Sequence, residues 1–73
     1  MEFEILFKKI AEDYCNGRVV ELKVAVRQEL NKLLKDKNTA NALYEFFDIE
    51  KQSKNAKQML IKKAIKLVEN LCL

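Results

Sequence analysis

Val19-Val20-Glu21-Leu22-Lys23-Val24-Ala25-Val26-Arg27-Gln28-Glu29-Leu30-Asn31-Lys32-Leu33 decides the fold, because it carries two periods at once. Val19, Leu22, Val26, Leu30 and Leu33 recur at helical spacing and form one apolar stripe. Val20, Leu22, Val24 and Val26 alternate with Glu21, Lys23 and Ala25, the period of two expected of a half-buried strand. Residues 27–37 are helical in composition, and no other segment offers an equally good strand for pairing. The sequence therefore predicts a helix over the whole of 18–37 and an all-α fold. The alternative is a ribbon–helix–helix-like dimer with a strand at 20–26, paired between two chains and entering the major groove of DNA. In that arrangement Val20, Leu22, Val24 and Val26 face the core, while Val19, Glu21, Lys23 and Ala25 face DNA, where Glu21 opposes the phosphates.

On the N-terminal side, Phe3, Leu6, Phe7, Ile10 and Tyr14 form an amphipathic helical stripe, with Ile5 left on the polar side. Asn16-Gly17 supplies the left-handed residue that ends a helix. On the C-terminal side, a short helix is predicted at 39–48, with Asn38 or Thr39 as N-cap. Its inner face would hold Ala40, Leu43, Phe46 and Phe47, with Tyr44 at the margin. Asp48 to Lys54 reads as a connection. The last helix is predicted from Asn55, where Asn55 and Gln58 have the spacing of a capping box. Ala56, Leu60, Ala64, Leu67 and Leu71 make one apolar row, and Ile61, Ile65, Val68 and Cys72 a second. Two rows are wider than the roughly 100° stripe of a surface helix, which places this helix centrally or at an interface. The predicted architecture is a single domain over 1–73: a small three- to four-helix bundle, homodimeric.

Size supports the homodimer. Seventy-three residues lie near the lower limit for one core, yet 49% of them are hydrophobic. Such a chain packs very economically or shares apolar surface with a partner. Ile5, Val20, Val24, Tyr44 and Ile49 are the residues in excess of what one buried face needs.

Charge is uneven along the chain. Residues 51–73 carry six lysines against the single acid Glu69, while residues 1–50 carry eight basic and ten acidic residues. A basic helix on a slightly acidic body suits an anionic partner. Lys62, Lys63 and Lys66 on its polar face, with Lys23 and Arg27, are the candidate nucleic-acid contacts. Arg18 and Arg27 are the only arginines, and no aromatic residue lies among the C-terminal lysines. Both facts weaken base readout, so nucleic acid is the second reading.

Catalytic chemistry has little to work with. Without histidine there is no Ser-His or Cys-His pair and little zinc chemistry, and one glycine cannot build a phosphate loop. Glu12-Asp13 and the group Glu45, Asp48 and Glu50 read as solvated carboxylates. Cys15 and Cys72 belong to no Cys-x-x-Cys pair and read most simply as two reduced, partly buried thiols, with a disulfide, rare in the cytosol, as the alternative. The N-terminal Met-Glu-Phe-Glu-Ile-Leu-Phe-Lys-Lys opens with acids where a signal peptide needs basic residues, and no apolar run approaches a membrane span. The expected location is cytoplasmic. The expected protein is no enzyme and holds no metal, cofactor or small-molecule substrate. It is a small regulatory helical module that binds another protein or its own copy through Ile5, Tyr44, Phe47 and Ile49. The alternative is a small dimeric DNA-binding transcriptional regulator.

Overall fold

In the computed structural model, which describes residues 2–72, the regular structure is four α-helices: α1 (Phe3–Cys15), α2 (Leu22–Leu34), α3 (Lys37–Phe46) and α4 (Ala56–Cys72). No strand occurs among the described residues, so the strand at 20–26 is corrected to an irregular lead-in followed by helix. The helical period wins because it alone continues beyond residue 26. Leu22, Val26, Leu30 and Leu33 are all buried, whereas Val20 of the alternating set is 90% exposed.

The helix begins at Leu22 and not at Arg18 because Arg18 and Val19 lie in the capping turn of α1 and Glu21 is extended, at φ −114° and ψ 100°. Gly17, at φ +77°, ends α1 in the left-handed conformation. Its N–H donates to the Tyr14 carbonyl (3.2 Å) and that of Arg18 to the Asp13 carbonyl (2.8 Å). This is the paired capping of a Schellman motif. The predicted Asn16-Gly17 stop therefore stands.

Only Lys35 and Asp36 separate α2 from α3. Asp36, not Asn38 or Thr39, is the N-cap: its carboxylate accepts from the Thr39 amide (3.1 Å) and the Thr39 hydroxyl (2.6 Å). These hydrogen bonds, the hydroxyl's first, hold the Asp36 pKa below its ordinary value. The helix consequently starts and stops two residues earlier than predicted. Its end repeats the α1 device without glycine. Asp48 takes the left-handed position at φ 54°, its N–H bonding the Glu45 carbonyl (3.0 Å) and that of Ile49 the Tyr44 carbonyl (2.9 Å). That turn swings Ile49 inward.

α1 packs chiefly on α4, α4 also on α2, and α2 on α3. Phe3, Phe7, Ile10 and Ala11 from α1 meet Leu60, Ala64 and Val68 from α4, Leu30 from α2 and Leu43 from α3 in one continuous apolar core. The described residues bury no polar or charged side chain. Phe3, Phe7, Phe46 and Phe47 join the end of α3 to α1 through ring contacts at centroid distances of 5.0 to 6.2 Å.

Cys15 and Cys72 are bonded to each other, with Cα atoms 5.9 Å apart, inside the range a disulfide spans. This corrects the expectation of two separate reduced thiols. Fifty-seven residues separate them in sequence, but α1 and α4 pack with their C-terminal ends together, which brings the thiols into reach.

Candidate functional site

Two surfaces gather the residues that sequence reasoning singled out. The first lies between α2 and α4. Lys23 and Arg27 stand one turn apart on α2, Gln58 and Lys62 one turn apart on α4, and Ile61 and Ile65 lie between these rows. Together they line a groove of about 320 Å³. Ile61 and Ile65 are half-buried, packed on the core from its edge, and all four polar side chains are exposed. The ion pairs among the described residues are Arg18–Asp13 and Lys32–Glu29, so Lys23, Arg27 and Lys62 have no carboxylate partner there.

Lys63 and Lys66 do not join them. The Lys63 ammonium donates to the Phe47 carbonyl at 3.0 Å. It thereby places a cation at the C-terminus of α3, where the helix dipole favours one. The candidate cation is a structural contact between α4 and α3. Lys66 is exposed on α4, outside the groove walls.

The second surface is formed by α1, the end of α3 and the last turns of α4. Phe46, Leu67 and Leu71, flanked by Glu4 and Lys8, line a smaller groove of about 250 Å³. Phe46 is 41% and Leu71 40% exposed. The sequence reading had put both on buried faces. Phe46 is displaced because α3 starts early and Phe47 takes the inward place beside Phe7. Leu71 is exposed because it lies in the last turn of α4, where little chain remains to cover it.

The four expected protein contacts separate. Ile5 is 64% exposed on the outer side of α1. Tyr44 and Phe47 are half-buried against the core. Ile49 is only 7% exposed and is a core residue, because the Asp48 turn rotates it inward. Its expected place on a partner-facing surface is corrected accordingly. Sequence reasoning passed over Gln58, Ile61 and Ile65 as groove residues. Their i, i+3 and i+4 spacing was visible, but the opposing α2 wall was not. Gln58, read as part of a capping box, lines the groove.

No helix among the described residues is long and apolar enough to cross a membrane. Comparison with known proteins finds no matching family model, no matching curated protein and no matching solved structure.

Proposed function

We propose that this chain is a small non-enzymatic binding module that acts by protein–protein association, as an adaptor, small subunit or inhibitor, and that it forms a homodimer. The observation that carries the reading is the apolar surface left over once the core is complete. Ile5, Val24, Phe46, Met59 and Leu71 are large apolar side chains left exposed around a core that holds no polar side chain among the described residues. The folded chain exposes 5346 Å² at a mass of 8.6 kDa, against about 4,700 Å² for a typical monomer of that mass. Exposed aromatic and aliphatic side chains beside polar rims are the usual composition of interface centres.

A second reading, a small DNA-binding regulator, is supported by the gathering of Lys23, Arg27 and Lys62 on one groove. With few cations and no stacking aromatic among them, phosphate neutralisation would be its main source of affinity, at a salt slope of about −0.9 per phosphate contacted.

Two measurements test the proposal. Sedimentation at micromolar concentration is expected to show a species of twice the chain mass, converted to monomer by Leu71→Ser. A monomer at all concentrations removes the homodimer. Capture from lysate of the source cells, with and without nuclease, separates the two readings. A partner protein retained after nuclease and at raised salt supports association, and capture lost to nuclease transfers the case to nucleic acid.

A further inference from the structure

The α2–α4 groove has features that neither a solvated charged face nor a phosphate-tracking surface requires. Its cations stand on both walls, Lys23 and Arg27 on one and Lys62 on the other, with two half-buried isoleucines between them. Ile61 and Ile65 are one helical turn apart, as are the wall residues. Side chains so spaced lie about 5–6 Å apart in a row along the helix. An incoming helix repeats its own side chains at the same interval.

We propose that this groove binds an acidic amphipathic helix of a partner protein. The apolar side chains of that helix rest on Ile61 and Ile65, and its flanking Glu or Asp side chains pair with Lys23, Arg27 and Lys62. The inference rests on the protein-association reading and adds the chemistry of the partner.

Three arguments select this occupant. Charge comes first: three cations line the groove, and no ion pair among the described residues involves them. Lys57, Lys63 and Lys66 of α4 add to the same positive field and steer an acidic partner toward it. The apolar floor comes second. A nucleic-acid backbone gains nothing from Ile61 and Ile65, whereas leucines of an amphipathic helix bury them at about 25 cal/mol per Å². Backbone hydrogen bonding comes third. The described residues offer no sheet edge to which an extended peptide could add, so an occupant on an apolar floor must satisfy its own N–H and C=O groups. A helix does so.

The test titrates the intact disulfide-linked protein against four probes by fluorescence anisotropy. One is a short synthetic helix with leucines at i, i+3, i+4 and i+7 and glutamates on both flanks. Another is the same peptide with glutamine for glutamate. The others are a duplex oligonucleotide and vesicles containing phosphatidylserine. The glutamate peptide is expected to bind most tightly, with the glutamine peptide about tenfold or more weaker. Arg27→Glu and Lys62→Glu should each weaken the glutamate peptide about three- to tenfold. Lys9→Glu, a matched reversal on exposed α1, should leave it unchanged. Ile65→Ser should weaken both peptides, and because Ile65 also packs on the core, the two exposed charge reversals carry the decision. Tighter binding of the duplex or the vesicles than of the glutamate peptide overturns the proposal, as does peptide binding indifferent to Arg27→Glu and Lys62→Glu. If lysate capture is lost on Leu71→Ser but unaffected by Arg27→Glu and Lys62→Glu, the groove proposal fails while the association reading stands.

Discussion

Asp36 controls the corner between α2 and α3 through one neighbour. Its carboxylate accepts from both the amide and the hydroxyl of Thr39, and these bonds depress its pKa below the ordinary 3.8. A carboxylate whose folded pKa lies below its unfolded one contributes stability above the unfolded value and loses it as pH falls through the folded one. The contribution is therefore present at neutral pH and disappears below about pH 4. Asp36→Asn should keep most of the stability at pH 7, since asparagine caps as well as aspartate, and should remove this part of the acid dependence. Asp36→Ala should lower the Tm at pH 7 and converge with the parent at low pH. Thermal melts of the three proteins across pH 2 to 7 check this, and identical acid limbs for parent and Asp36→Asn would contradict it. Asp48 is a residue of another kind. It occupies a left-handed position that glycine fills more easily, and the absence of glycine there is why the sequence placed the α3 stop two residues late.

Among the elements, α4 reconciles the most sequence signal with the least ambiguity. Its buried row is Ala56, Leu60, Ala64 and Val68, a strict i+4 series. Leu67, expected in that row, is only packed against its edge. Leu60→Ala should cost about 2–5 kcal/mol, as for other fully buried leucines, and Leu67→Ala clearly less. Chemical denaturation of both variants is the measurement; equal losses would mean that α4 is rotated from this position. The lysines of the same helix divide likewise. Lys63→Glu should destabilise, because it sets an anion against the α3 C-terminus in place of the ammonium on Phe47. Lys62→Glu and Lys66→Glu, both exposed and without ion-pair partners among the described residues, should leave the melt nearly unchanged. The stripes of α1 and α4 and the Asn16-Gly17 stop were legible because the signals are local and periodic. The start of α2 was not, since it depends on the turn that residues 18 and 19 make in capping α1 and on the extended Glu21 that follows. The groove was half legible: Ile61 and Ile65 were visible as a second apolar row, but only tertiary packing sets Lys23 and Arg27 opposite them.

At the scale of the whole molecule, the decisive feature is a cross-link that the sequence offered only as the second alternative. Cys15 and Cys72 looked unrelated because periodicity cannot report which helix ends meet. Their bond closes a loop whose ends are 57 residues apart in sequence. Chain-entropy arguments assign such a closure about 4 kcal/mol of stabilisation, through the unfolded chain. For a chain this short that is a large share of the total, since small domains are stable by only about 5 kcal/mol or little more. The expected outcome is a fall in Tm on the order of 15 °C or more when reductant is added. Cys15→Ser and Cys72→Ser should reproduce the reduced melt and be insensitive to reductant themselves. Reductant should shift the parent alone, because only the parent has a bond to lose. If the parent melts identically with and without reductant, and both serine variants match it, the two thiols are not joined in the folded protein and α1 and α4 are held by their apolar faces alone.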